Sequence, residues 1–190
     1  PIEIAGILEP LYRVAEQWQK LVKIHEVQLD KLADEAERQA LIQRIAEICE
    51  HKLMDQVTAF QWWCRAISEA PTSEMAGEEV ERLARIVRTW EELVQVYSDT
   101  LQGEHARRDV AVQRLLYLKV ARVYEFELRD LQRAEEAHLN VLKIDNKDAE
   151  GLAALDRIYA QLSMWPELAD ILARRIQITP ETDDRIELYF

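Results

Sequence analysis

The side chains able to hold a metal or attack a substrate are few and scattered. There are two cysteines, Cys49 and Cys64, fifteen residues apart, and four histidines, at 25, 51, 105 and 138. Zinc and redox sites typically space cysteines about two to four residues apart. This pair fits neither pattern and is read as two buried free thiols, with a disulfide as the alternative. The histidines fall on different expected hairpins, which argues against a shared metal. No glycine-rich phosphate loop, His-Glu-x-x-His or Gly-x-Ser-x-Gly is present. Neighbouring carboxylates such as Glu135 and Glu136 read as solvated helix decoration. No catalytic, cofactor-binding or metal-binding residue is assigned, no cofactor is expected, and the chain is read as not an enzyme.

Charge narrows the partners. Asp and Glu outnumber Lys and Arg 36 to 24, for a net charge of −12. Phosphate contacts need clustered bases, so nucleic acid is not expected. No apolar run approaches the ~20 residues that span a bilayer, so membrane insertion is not expected either.

The elements that would position any site come from a repeat. Residues 155–168, LDRIYAQLSMWPEL, match 80–93, VERLARIVRTWEEL, without a gap at a shift of 75. Arg82 falls on Arg157, Trp90 on Trp165, Glu92 on Glu167 and Leu93 on Leu168. The same shift carries Ala46 to Ala121, Leu53 to Leu128, Asp55 to Asp130 and Ala59 to Ala134. Residues 8–21 join the set through Leu8, Tyr12, Trp18 and Leu21, at a spacing of 72 from Trp18 to Trp90. The three extra residues of the later spacing are expected in a loop at 102–109, QGEHARRD.

With only four glycines and five prolines, the chain lacks the turns a sheet protein of this size needs, and it reads as all-helical. Apolar periodicity of the i, i+3, i+4, i+7 kind predicts helices near 3–15, 18–32, 36–53, 56–69, 75–88, 90–102, 108–127, 130–144, 148–162 and 165–178, with a truncated one at 182–190. They pair into hairpins at about 3–32, 36–69, 75–102, 108–144 and 148–178. Thr72 or Ser73, and Asp145 or Asn146, are expected N-caps, and Pro180 follows Thr179 as a further start signal. Pro166 fits a first helical turn, where its missing N–H costs nothing. Trp18, Trp90 and Trp165 are expected to be core anchors at the hairpin turns. Starting at Pro1 and stopping within an apolar-periodic run, the chain is expected to be part of a longer protein.

This pattern resembles the tetratricopeptide repeat (TPR) family. Residues 117–148 carry Ala121 and Tyr124 at the family's small and aromatic positions and Ala134 at the opening of the second helix, with His138 in place of an aromatic and Asn146 in place of proline. Residues 44–75 match through Ala46, Ala59, Trp63, Ala66 and Pro71, and residues 149–182 through Leu152, Leu155, Tyr159, Leu172 and Pro180. The Ala121–Ala134 and Ala46–Ala59 spacings are one residue longer than the family norm, so alternate hairpins are atypical. Half-a-TPR repeats are a related family. The resemblance implies an all-α, right-handed α-solenoid of about five helix-turn-helix hairpins, whose first helices line a concave groove for a peptide or protein segment.

Carried onto this sequence, the family's groove positions are Arg13, Arg44, Glu47, Arg82, Arg85, Lys119, Arg122 and Arg157. Seven of these eight are basic, a stripe that would attract a carboxylate-rich segment. The alternative is plain helix decoration, with Arg82 paired to Glu78 or Glu79 of its own helix. Trp63 takes the family's core position. Trp62, turned about 100° from it, either packs on a neighbouring hairpin or serves as a partly exposed contact. The expected function is a non-catalytic protein–protein interaction scaffold with a protein or peptide partner and a cytoplasmic setting. Self-association through open solenoid ends is the second reading, and a helical-solenoid enzyme the contrasting class.

Overall fold

A computed structural model describes residues 2–178; the expected helix at 182–190 and the Thr179–Pro180 start signal lie outside the described residues. Among the described residues the chain forms helices and no strand. In order they are α1 (Ile2–Val14), α2 (Trp18–Leu29), α3 (Glu35–His51), α4 (Gln56–Glu69), α5 (Glu74–Val87), α6 (Trp90–Gln102), α7 (Glu104–Arg108), α8 (Val110–Arg122), α9 (Leu131–Ile144), α10 (Ala149–Leu162) and α11 (Trp165–Ile178). A π-helical turn, Val123–Leu128, extends α8. The chain divides into two compact units, Pro1–Val96 and Tyr97–Phe190. No described helix is long and apolar enough to cross a membrane.

In the first unit α1 packs on α2, α2 on α3, α3 on α4 and α4 on α5. Leu21, Leu29, Ile42, Ile45, Phe60, Ile67, Val80 and Leu83 are fully enclosed there. In the second, α8 packs on α9, α9 on α10 and α10 on α11. Leu142, Leu152, Leu155, Tyr159 and Ile171 form one apolar cluster, flanked by Leu139, Met164, Leu168 and Ile178. Within each unit these helices bury one stripe against their neighbours in sequence, the pattern of stacked repeats.

The repeat is written into the helix ends as well as the core. Asp34 and Asp109, Asp55 and Asp130, and Ser73 and Asp148 are N-caps separated by 75 residues in every case. Each accepts from the backbone N–H three residues on: Glu37 and Val112, Thr58 and Arg133, Ala76 and Gly151. Such a cap satisfies a donor that the helix itself leaves unpaired. The C-termini repeat too. Met54 and Arg129, and Arg88 and Ser163, adopt left-handed backbone with φ between 55° and 60°, a conformation costly outside glycine and here fixed by the turn that follows.

Those turns explain the extra residue in alternate hairpins. After Arg88 and Ser163 the chain closes with Thr89 N–H to Ala84 O and Met164 N–H to Tyr159 O, five residues back, as does Gln17 N–H to Tyr12 O. After Met54 and Arg129 the bonds are Asp55 N–H to Cys49 O and Asp130 N–H to Tyr124 O, six residues back. The wider ring holds the added residue, and in α8 the π-helical turn absorbs it.

Three expectations need correction. The second cap pair resolves to Asp148; Asp145 instead accepts from Lys147 N–H in the preceding turn. Residues 102–109 are not a simple loop, because Glu104–Arg108 forms α7 after Gly103. The recurring tryptophans are not uniformly core: Trp18 and Trp90 are half-buried, and Trp165 is 63 % exposed. Each opens the second helix of a hairpin, so its ring needs the next hairpin for cover. Trp18 has α3, whose Ile48 and Lys52 share a hollow with it; no described helix follows α11 to do this for Trp165. Pro166, as expected, lies in the first turn of α11, and Cys49 and Cys64 are free and buried.

Candidate interaction site

The expected basic residues fall into three groups, and the structure separates them chemically. In the second unit, Arg157 donates from Nε and Nη2 to the Glu125 carboxylate at 2.7 and 3.0 Å. Glu125 is only 5 % exposed. His138 Nε2 lies 3.7 Å from the same carboxylate. In the first unit, Arg82 reaches Glu50 at 2.6 Å and Glu79 at 2.7 Å. Glu50 and Glu125 are themselves one repeat apart, and both pairs join residues 32 positions apart in sequence. So this is one ion pair used twice. These carboxylates raise the pKa of both guanidinium groups and occupy the fork that would otherwise grip a ligand.

Arg85 places its guanidinium 5.9 Å from the Trp90 ring, and Lys119 its ammonium 5.8 Å from the Tyr97 ring. Arg122 is exposed on α8. Trp62 is half-buried, with Arg65 stacked 5.4 Å from its ring, whereas Trp63 is buried.

Arg13 and Arg44 are brought together. They line a hollow of about 330 Å³ in the first unit with Trp18, Leu21, Glu47, Ile48, His51 and Lys52. Arg13 comes from the last turn of α1 and Trp18 and Leu21 from the first turn of α2. Arg44, Glu47, Ile48 and His51 follow the i, i+3, i+4, i+7 spacing that puts them on one face of α3. Lys52 caps that helix with its ammonium 5.3 Å from the Trp18 ring. Arg13, Arg44 and Lys52 outnumber Glu47 and the adjoining Glu9 by one charge.

Glu9 steadies the arrangement from the side. Its Oε1 accepts from Arg13 Nη2 at 2.8 Å, with Arg44 Nη1 at 3.8 Å and His25 Nε2 at 3.6 Å. Glu47 accepts from Gln43 at 2.8 Å. His25 is fully buried, and burial lowers its pKa against the opposing pull of Glu9. His51, by contrast, is exposed. The hollow thus combines guanidinium forks, one ammonium and the apolar wall of Trp18, chemistry suited to a carboxylate beside an apolar stem.

Of the residues around this hollow, Arg13, Arg44 and Glu47 were named from the sequence as groove positions, while Trp18, His51, Lys52 and Glu9 were not. The i+3, i+4, i+7 continuation from Arg44 was available as a signal for His51. Nothing in the sequence pointed to Glu9. Elsewhere, burial drives the pKa of Cys49 up to about 11 and that of Cys64 to about 12, which leaves neither thiol nucleophilic at neutral pH. Among the described residues no cluster of three or more His, Cys, Asp or Glu is placed to hold a metal.

Comparison with known proteins gives the fold alone. No family model matches the chain, and no curated protein matches it. Among solved structures, a crystal structure of MamA aligns with a TM-score of 0.50 at 10 % identity, covering 96 % of this chain and 97 % of that one. A MamA double mutant from RS-1 aligns at 0.46 and 11 % identity, and MamA from Desulfovibrio magneticus RS-1 at 0.45 and 11 %, each covering 93 % of both chains. The chain therefore has an all-α repeat fold like that of MamA, TPR-like at the coarse level.

Proposed function

We propose that the chain is a non-catalytic interaction scaffold, a run of helical hairpins within a larger repeat protein, that binds an acidic peptide segment of a partner. The observation that carries this reading is the hollow between α1, α2 and α3, where Arg13, Arg44 and Lys52 converge beside Trp18 on a chain of net charge −12. Bases gathered against the overall charge make a local field that favours carboxylates. The hollow is formed before a ligand arrives, which reduces the ordering cost of association. A cytoplasmic setting and a protein partner go with this reading.

Within the basic stripe the reading rests on Arg44, which stands 3.8 Å from Glu9 without a hydrogen bond to it, whereas Arg13 already donates to Glu9 at 2.8 Å and lines the hollow as a braced base. Arg82 and Arg157 take part as braces between helices, since their carboxylate partners are already in place. Arg85, Lys119, Arg122 and Trp62 are secondary candidates for contact. The test is fluorescence anisotropy with a labelled glutamate-rich peptide and its lysine-rich counterpart. The acidic peptide should bind more tightly, lose affinity as added salt shortens the screening length below its physiological ~8–10 Å, and lose its advantage in Arg44→Glu. Equal binding of the two peptides, or an advantage that survives Arg44→Glu, would refute the assignment.

A further inference from the structure

The exposed apolar residues on α1 have internal counterparts that show what such a surface accepts. The repeat aligns Leu8, Leu11 and Tyr12 of α1 with Val80, Leu83 and Ala84 of α5 and with Leu155, Ile158 and Tyr159 of α10. The six counterparts are all buried, and Leu83 and Ile158 are 0 % exposed. Leu11 is 58 % exposed, with Leu8 and Tyr12 half-buried beside it. Ile7, on the same side, is also exposed, and its counterpart in α10, Ala154, is buried. Val14 does not belong to the set, because its counterpart Ile86 is exposed as well.

α10 is covered on both sides, by its hairpin partner α11 and by α9, whose Ile171 and Leu142 share one cluster with Leu155 and Tyr159; the cover that α5 and α10 have and α1 lacks is the helix that precedes each of them. α4 packs on α5, and α9 packs on α10. These two covering helices share a pattern: an aspartate N-cap (Asp55, Asp130), a buried alanine four residues on (Ala59, Ala134), a buried ring four further (Trp63, His138), then a buried small–large pair (Ala66–Ile67, Val141–Leu142). No described helix plays this part for α1, which packs on its hairpin partner α2 and reaches α3 through Glu9 and Arg44.

We infer that the Ile7–Leu8–Leu11–Tyr12 face of α1 is a docking surface for the second helix of a further hairpin of this repeat, joined ahead of Pro1 in the same polypeptide. An apolar stripe of this register gains burial only from a neighbouring repeat, and the two internal examples fix the partner as a helix with the Asp-x3-Ala-x3-ring-x2-small-large pattern. The inference stands apart from the acidic-peptide reading, since none of its residues lines the Arg13–Arg44 hollow except through their shared helix.

The test is a fusion in which residues 109–147 are placed directly before Pro1. Leu8 then follows the join at the same distance as Leu155 follows residue 147. Thermal melting of the full chain with and without this hairpin reads the docking. The fusion should melt about 5 °C higher, a shift in the range expected when one buried interface is completed in a chain of this size. Leu11→Glu should leave the melting temperature of the unfused chain unchanged and remove the gain in the fusion. A fusion that melts no higher, or whose added residues stay non-helical by circular dichroism, overturns the proposal. So does destabilisation of the unfused chain by Leu11→Glu. Sedimentation of the unfused chain should show a monomer; self-association abolished by Leu11→Glu would assign the surface to a second copy and overturn it equally.

Discussion

Removing Arg157 should cost far more than removing the charge it pairs with. The Glu125 carboxylate is 5 % exposed, while the Arg157 side chain is 47 % exposed. Arg157→Ala strands the buried member of the pair; Glu125→Gln strands the member that already reaches water. Breaking a fully buried pair typically costs about 3–5 kcal/mol. The half-exposed guanidinium leaves a path for water once it is cut back, which reduces the expected loss for Arg157→Ala to about 2 kcal/mol. Glu125→Gln keeps an acceptor oxygen and frees a solvated arginine, so it should cost about 1 kcal/mol or less. His138 adds a second signature. At 3.7 Å from the carboxylate, it becomes the nearest cation once Arg157 is gone, so the Arg157→Ala penalty should be smaller at pH 6 than at pH 8. Urea denaturation followed by circular dichroism reads all three variants. If Glu125→Gln proves as damaging as Arg157→Ala, or if the penalty is flat with pH, the account of this ion pair is wrong.

The remaining predictions concern the tryptophans and the buried histidines. Trp63→Ala should destabilise by about 3–5 kcal/mol, as emptying a large core site does, whereas Trp165→Ala, at 63 % exposure, should cost less than about 1 kcal/mol; equal losses in denaturation would contradict the burial described. Burial lowers the pKa of both His25 and His138 from the ordinary 6.5, against the pull of Glu9 and of Glu125 respectively and with Arg44 and Arg157 adding to the depression. The unfolded chain then binds protons that the folded chain refuses. Stability contributed by the neutral imidazoles is therefore full above pH 6.5 and declines as pH falls below it, by at most about 1.4 kcal/mol per pH unit for each histidine. His138→Phe, which restores the aromatic of the matching Trp63 position, should flatten part of that slope, and a slope unchanged in this variant would place the pH dependence elsewhere.

The helices and their order were legible because apolar period and cap chemistry are local. The cap at Thr72 or Ser73 needed only its own neighbours to be expected, and it is Ser73 that accepts from Ala76 N–H. Pro166 likewise announced the first turn of α11. Even the one-residue excess between Ala46 and Ala59 was visible, although its cause, a turn closed six residues back, is a backbone geometry that side-chain patterns do not encode. The site was harder for a physical reason. Whether an arginine is available to a ligand depends on which carboxylate the neighbouring helix presents, and Glu50 and Glu125 lie 32 residues from the arginines they hold. The shift that matched Arg82 to Arg157 also matches these two glutamates, so the repeated pair was present in the sequence as a correlation that single positions do not reveal. Tryptophan burial failed on similar grounds: Trp18 and Trp165 share the Trp-x-x-Leu spacing and differ in what packs over them.

Amide and indole NMR of the isotope-labelled chain, titrated with a glutamate-rich peptide, tests the central claim most directly. If the hollow between α1, α2 and α3 is the binding site, the Trp18 indole and the amides of Arg44, Glu47, His51 and Lys52 should shift together and saturate with one affinity. Arg44→Glu should abolish those shifts while the signals of the Glu125–Arg157 region stay unmoved throughout. Perturbations centred on α8–α10, or on the outward face of α1 around Leu11, with the Trp18 indole unchanged, would contradict it.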